Sequence, residues 1–235
     1  MAPDLKFETF KRLVSLSLED FCRELFLGNR KSIKIKKEGV AVRNLAKIFN
    51  AALTLSNRKG FQAMSLRDLS AEAGLSMGAL YTYFNSKDEM LHMIQRQGRM
   101  VVKRVLLGQV KEADDPRAKL RRVIQAHLYL SEVMQPWFYF SYMETKNLVK
   151  EERRRAIEAE LFTENILIDI IKKGQGKGVF RAVETELAGA VIKAMLQDWY
   201  LKRWKYAVRR VTVEKYAAFV VDFVTTYLDP QRPLE

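Results

Sequence analysis

The stretch Ser65–Lys87, SLRDLSAEAGLSMGALYTYFNSK, leaves this chain few folds to choose from, because each residue that governs backbone shape in it asks for helix, tight turn, helix. Ser65 with Asp68 has the spacing of a capping box, and Leu66, Leu69 and Ala73 recur at helical intervals on one apolar face. Gly74 stops that helix, since glycine accepts the left-handed angles needed to leave it, and only Leu75 separates it from the next capping residue, Ser76. The second helix is expected from Met77 to Tyr83 or Phe84, with Leu80 and Phe84 inward and Met77, Gly78, Ala79, Tyr81, Thr82 and Tyr83 outward. That outer face carries no formal charge and is small near its start, so it can enter a major groove without repelling phosphates. Asn85 and Ser86 end the element, and Ser86 with Glu89 forms a further capping box. Lys87, in the first turn of the next helix, opposes the helix dipole. Its position makes sense if Lys87 and the free amides of that helix start together hold a phosphate.

Helix-turn-helix units also occur as plain packing motifs in all-helical proteins. Charge counts against that reading. Between residues 29 and 60, Arg30, Lys31, Lys34, Lys36, Lys37, Arg43, Lys47, Arg58 and Lys59 face Glu38 alone, a large part of the chain's net charge of +13. Phosphates explain the clustering best.

The segment Arg43–Leu91, RNLAKIFNAALTLSNRKGFQAMSLRDLSAEAGLSMGALYTYFNSKDEML, closely resembles the DNA-binding domain of the TetR family of bacterial transcriptional regulators. The likeness covers about fifty residues in register: a helix ending at Gly60-Phe61, the cap at Ser65, the Ala73-Gly74-Leu75-Ser76 turn, then Tyr81, Phe84 and Lys87. The resemblance implies phosphate contacts from Ser65, Tyr81 and Lys87, and base contacts from Met77, Gly78, Ala79 and Tyr83. Met77 stands where a basic residue is common and Tyr83 where histidine is common, so no relative's operator sequence carries over. With the neighbouring Arg43, Arg67, Ser76 and Thr82, these residues form the expected DNA-binding set, and double-stranded operator DNA is the expected partner.

The fold class expected is all-α. An N-terminal helical extension with a basic linker (1–40) precedes a three-helix helix-turn-helix DNA-binding domain (41–90) and a helical effector-binding and dimerisation domain (91–235). The chain has 235 residues, 48% of them hydrophobic, enough for a substantial core. Its longest run without a charged residue, Ala73–Ser86, is too short and too polar to span a membrane, and the N-terminus does not read as a signal peptide. Residence in the bacterial cytoplasm, on the nucleoid and with no membrane partner, is expected. The single cysteine, Cys22, reads as packing. Two histidines, His92 and His127, with one cysteine do not furnish a zinc site. No nucleophile elbow, nucleotide fingerprint or kinase signature occurs, and GQGKG at 174–178 lacks the following Ser or Thr of a phosphate loop. No metal, cofactor or enzymatic activity is expected.

In the extension, Phe7, Phe10, Val14, Leu18, Phe21 and Leu25 keep helical spacing up to Gly28, although the alternation at Ser15–Leu18 lets Ser17 and Asp20 cap a second helix instead. RKSIKIKK then reads either as an arm for adjacent DNA backbone or minor groove, or as a solvated linker. From Asp88 a long helix runs to about Glu112 and links the reading head to the rest. Asp115-Pro116 starts a helix through Met134, and Pro136 begins the next. Glu151–Lys173 forms another, closed by Gly174, Gly176 and Gly178.

The last two helices, Thr185 to about Tyr206 and Thr212–Leu228, carry the expected homodimer contacts: Leu187, Val191, Met195, Tyr216, Phe219, Val220, Phe223 and Tyr227. The resemblance implies a four-helix interface across a two-fold axis. Such a dimer presents two reading helices ~34 Å apart to a palindrome. In PWFYFSYM, residues 136–143, the aromatics are too many for one helix face, so some line a cavity or cover a partner, or all are core. The C-terminal half is also similar to TetR-type regulators of fatty-acid metabolism, which respond to acyl chains or acyl-CoA. A small hydrophobic effector is therefore expected, touching Ile94, Val101, His127, Trp137, Phe140, Met143, Ile168, Met195 and Trp199. His127 and Glu132 with Gln197 and Asp198 are candidates to orient its polar head. The mechanism expected is repression relieved when the effector shifts the linking helix. A constitutive DNA-architectural protein is the alternative.

Overall fold

The computed structural model describes residues 5–14 and 17–231, which are helical with no strand among them. The α-helices are α1 (Phe7–Val14), α2 (Leu18–Gly28), α3 (Glu38–Lys59), α4 (Leu66–Ala73), α5 (Met77–Leu80), α6 (Lys87–Lys111), α7 (Pro116–Val133), α8 (Gln135–Glu144), α9 (Lys150–Gly176), α10 (Thr185–Leu201), α11 (Arg203–Val208) and α12 (Val213–Tyr227). They form two compact units. The head takes the described residues of Ser15–Val101 and Pro136–Arg154; the body takes those of Met1–Val14, Val102–Gln135 and Arg155–Glu235.

In the head, α2 is a helix of its own, as the Ser17 cap suggested: the Ser17 hydroxyl accepts the Asp20 N–H at 3.0 Å. Ser15 and Leu16, where the alternation begins, lie outside the described residues. The inner face of α2, Phe21, Cys22, Leu25 and Phe26, packs on α3, with Phe21 against Phe49 at 4.7 Å between ring centroids. Cys22 is buried there, and burial pushes its thiol up to about 12. Gly60, at φ +83°, turns the chain out of α3. The aromatic run divides by face. Trp137, Phe138 and Phe140 enter the core, while Tyr142 and Met143 stay exposed. Trp137 donates its indole N–H to the Ile94 carbonyl at 3.2 Å and lies flat on Gly98, where an added Cβ would sit 2.0 Å from the ring. Glu144 accepts the buried Phe61 N–H at 3.1 Å.

The body is organised on α7, which Asp115 caps through the Ala118 N–H at 2.9 Å and Pro116 opens. α1, α10 and α12 all pack against it, and Phe7 and Phe10 meet Tyr129 at 5.3 and 5.7 Å. Two expectations are corrected. Gly174 does not close α9; the helix runs on to Gly176, and Gly174 is the notch into which the Phe180 ring fits, 2.1 Å from where a Cβ would stand. The turn residue is Gly178, at φ +66°. The helix expected from Thr185 to Tyr206 breaks at Lys202, between α10 and α11. Asp198 draws Lys202, Lys205 and Tyr206 to one carboxylate there. Burial works to raise that carboxyl, but these bonds prevail and hold it at about 2. Trp199, Tyr206 and Tyr216 stack beside it at centroid separations of 4.7–5.1 Å.

Candidate nucleic-acid interface

Each cap expected in the helix-turn-helix is formed. The Ser65 hydroxyl accepts the Asp68 N–H at 3.1 Å, and the Asp68 carboxylate accepts the Ser65 N–H at 2.8 Å. Gly74 takes φ +62°, and the Ser76 hydroxyl accepts the Ala79 N–H at 3.2 Å. The motif's two acids are both matched by cations. Lys59 reaches Asp68 at 2.7 Å and, with the Ser65 bonds, holds its carboxyl well below the usual range, while Arg58 lies 4.0 Å from Glu72. Arg43, Ser65, Arg67, Ser76, Gly78 and Tyr81 are exposed, and Met77, Ala79 and Thr82 are half-buried. Among the described residues no carboxylate pairs with Arg43, Lys47 or Arg67, which leaves their charge open to an outside anion.

Two members of the expected set do something else. Tyr83 is 0% exposed, and its hydroxyl accepts the Asn44 side-chain N–H at 2.9 Å. The cause is geometric. Regular helix ends at Leu80, and tighter bonds from Thr82 to Ala79 and from Tyr83 to Leu80 follow. Residue 83 thus stays on the face of Leu80, three positions earlier. Lys87 is not turned toward a phosphate. Its ammonium donates to the carbonyls of Phe61, Gln62 and Met64, each at 3.1 Å, and lies 4.9 Å from the Phe61 ring centre. These carbonyls belong to the turn after α3, where Phe61's also accepts the Met64 N–H at 3.2 Å, and three ammonium protons match the three of them. Glu89 N–H reaches the Ser86 hydroxyl at 3.1 Å, but the Glu89 carboxylate takes the Asn85 N–H at 2.6 Å.

The effector set divides between the units. In the head, Ile94, Val101, Trp137 and Phe140 are buried, and Met143 is exposed on the outer side of α8. In the body, Ile168 packs against the Gly189 backbone, Met195 is half-buried and Trp199 is fully buried. His127 and Gln197 do come together, through two residues the sequence reading missed. The buried Lys193 ammonium lies 3.2 Å from His127 Nε2 and 3.2 Å from Glu160, and Gln197 donates to the same Glu160 oxygen at 2.5 Å. Burial first, then the Lys193 charge, keeps His127 well below its usual value; burial likewise lowers Lys193 against the pull of Glu160. A lone lysine between Ile192 and Met195 in an apolar helix was the available signal. Glu132 and Asp198 stand apart from this cluster. Glu132 holds the Trp199 indole N–H at 3.0 Å and Arg203 at 2.9 Å.

The expected dimer residues split by face. Leu187 and Val191 of α10, and Phe219, Phe223 and Tyr227 of α12, are exposed, on the sides of these helices turned away from α7. Val220 is a correction: it lies with Ala217 and Val224 on the inner face of α12 and is core. Tyr216 is half-buried, donating its hydroxyl to the Met195 carbonyl at 2.8 Å. Among the described residues no helix is long and apolar enough to cross a membrane, and no three His, Cys, Asp or Glu side chains gather to hold a metal ion.

Residues 48–94 match the family model of bacterial regulatory proteins, tetR family, and residues 113–228 match the tetracyclin repressor-like, C-terminal domain. The uncharacterized HTH-type transcriptional regulator YfiR of Bacillus subtilis (strain 168) is 30% identical over 158 residues, which is 65% of this chain and 75% of YfiR. The TetR family transcriptional regulator PfmR from Thermus thermophilus is 31% identical and superposes with a TM-score of 0.69 over 77% of this chain and 98% of PfmR. AibR, solved in complex with isovaleryl coenzyme A and operator DNA, shares the fold at 20% identity, with a TM-score of 0.68 over 80% of this chain and 98% of its own. The chain belongs to the TetR family of bacterial transcriptional regulators.

Proposed function

We propose that this regulator is a cytoplasmic homodimeric repressor, bound to a palindromic operator and released by a small hydrophobic effector, an acyl chain or acyl-CoA. Residues 41–90 serve as its DNA-binding domain and 91–235 as its effector and dimerisation domain. The observation that carries the reading is the uncharged outer face of Met77, Gly78, Ala79, Tyr81 and Thr82, on which Gly78 and Tyr81 are exposed, together with the exposed Arg43, Lys47 and Arg67, which pair with no carboxylate among the described residues. Met77, Gly78 and Ala79 touch base edges, and Tyr81 with Arg43, Ser65, Arg67 and Ser76 holds phosphates. Exposed apolar stripes on α10 and α12 favour a second copy as the partner. The acyl ligand rests on AibR's isovaleryl coenzyme A and on the buried Lys193 and His127 with the partly exposed Glu160, a cluster that offers an anionic or polar head group a partner beside apolar surroundings. Tenfold release requires the effector to bind the non-DNA form better by only ~1.4 kcal/mol.

The test is selection of random-sequence duplexes on the full-length protein, with and without isovaleryl-CoA and a long-chain acyl-CoA. The expected fragments share a palindrome with half-sites ~34 Å apart, and an acyl-CoA lowers their affinity. Fragments with no common sequence, held by salt-dependent contacts alone, would leave the architectural alternative. Gly78→Leu sharpens the outcome. A Cβ at Gly78 meets only the Ser76 hydroxyl, at 4.0 Å, so the fold tolerates the side chain while a groove fitted to glycine does not.

A further inference from the structure

We propose that residues 30–37 form a second DNA-contact element, laying a row of lysines on the phosphate backbone beside the groove that α5 enters; the proposal rests on the DNA-binding reading above. The segment is anchored at three places. At its start the Asn29 side chain donates to the Leu25 carbonyl at 2.7 Å, and the Asn29 carbonyl accepts the N–H groups of Ser32 and Ile33 at 3.0 Å each. In its middle the Lys34 N–H donates to the carbonyl of Thr82 at 2.8 Å, in the turn that ends the reading helix. At its end the Lys37 carbonyl accepts the Val40 and Ala41 N–H groups at 3.1 and 3.0 Å, which starts α3.

Between these anchors the side chains alternate as on a strand. Ile33 is buried and Ile35 half-buried, while Lys34 and Lys36 are exposed. Arg30, Lys31 and Lys37 are exposed as well, and no carboxylate pairs with any of the five among the described residues. A solvated linker needs neither a buried isoleucine nor a bond to the reading helix. Because the backbone is already ordered, only lysine side chains lose freedom when they meet a phosphate. An anionic membrane would attract the same charges, but the Lys34–Thr82 bond places the row next to Tyr81 and the open face of α5, so DNA entering one meets the other.

The experiment compares the full-length protein with Lys31→Gln/Lys34→Gln/Lys36→Gln on a duplex isolated by the selection above, with affinity measured across a salt series. Each lost phosphate contact lowers the slope of log affinity against log salt by about 0.9, so the triple variant loses about 2.7 per protomer. The triple Lys→Arg variant at the same positions keeps the slope, as does a control with Lys111, Lys173 and Lys177 changed to Gln in the body. Thermal melting of all variants stays at the wild-type value, since the altered side chains are exposed. An unchanged slope in the first variant, an equal fall in the control, or a fall in the arginine variant would each overturn the proposal. Anionic vesicles that bind the wild type more tightly than the duplex does would overturn it in favour of a membrane surface. Failure of the wild type to bind any duplex would instead sink the parent reading.

Discussion

Changing Phe219 and Phe223 together to Asp is expected to give a folded monomer that no longer holds its operator. Phe219 is 65% exposed and Phe223 52%. A phenylalanine side chain carries roughly 200 Å², so about 230 Å² of ring surface stands open in each protomer. Burying it at ~25 cal/mol per Å² contributes ~6 kcal/mol per protomer and ~12 kcal/mol per dimer. Association entropy and imperfect fit consume much of that. If half survives, removing the two rings raises the dimer dissociation constant by ~10⁴, before any repulsion between the new carboxylates. Sedimentation equilibrium over a range of protein concentration reads the change directly. Because both rings face away from the α12 core, helical content by circular dichroism stays at the wild-type level, whereas Val220→Asp, placed in that core, unfolds the body. A double variant that sediments as a dimer at wild-type concentrations would refute the assignment of this face.

Gly98→Ala drives a methyl into the Trp137 ring, which would stand 2.0 Å away, and loosens its bond to the Ile94 carbonyl. A loss of about 1–3 kcal/mol in urea unfolding is expected, smaller when Trp137→Leu is added. The depressed His127 gives a pH signature. Its folded form refuses a proton that the unfolded chain accepts below about pH 6.5, so stability is level above that pH and falls below it by up to about 1.4 kcal/mol per unit. Denaturant midpoints between pH 8 and pH 5, at fixed protein concentration, check this, and His127→Gln is expected to flatten the decline.

Local chemistry carried most of the fold. The caps at Ser65, Ser76 and Asp115 and the left-handed turn at Gly74 depend on residues within four positions, and each formed as read. The misses involve partners distant in sequence or faces that hydrophobicity does not rank. Lys87 meets carbonyls from Phe61 to Met64, and nothing near Lys87 announces them. α10 is apolar on both sides, with Leu187 and Val191 outward and Ile192 and Leu196 inward, so its period alone does not say which side the core takes. Tyr83, expected outward with Tyr81 and Thr82, was within reach of the sequence, since it lies three positions after the inward Leu80. Burying it there requires a partner for its hydroxyl, and Asn44, thirty-nine positions earlier, supplies one.

The connectivity gives the proposed release a physical route. The chain passes from head to body inside α6, between Val101 and Val102, and again inside α9, between Arg154 and Arg155, and from body to head at the start of α8, after Gln135. A helix interior does not hinge without breaking its own hydrogen bonds. In the head, both elements end on one short turn. Lys87, the first residue of α6, binds the carbonyls of Phe61, Gln62 and Met64, and Glu144, the last residue of α8, binds the Phe61 N–H. That turn leads directly into Ser65, the cap of α4, and α4 sets α5 through the Gly74 turn. Packed elements of this kind respond by switching between discrete arrangements rather than by gradual bending. An effector therefore need not approach the reading helix at all. Under the proposed release it would need only to favour a position of α6 that the Phe61–Met64 turn cannot accommodate while α5 remains in the groove.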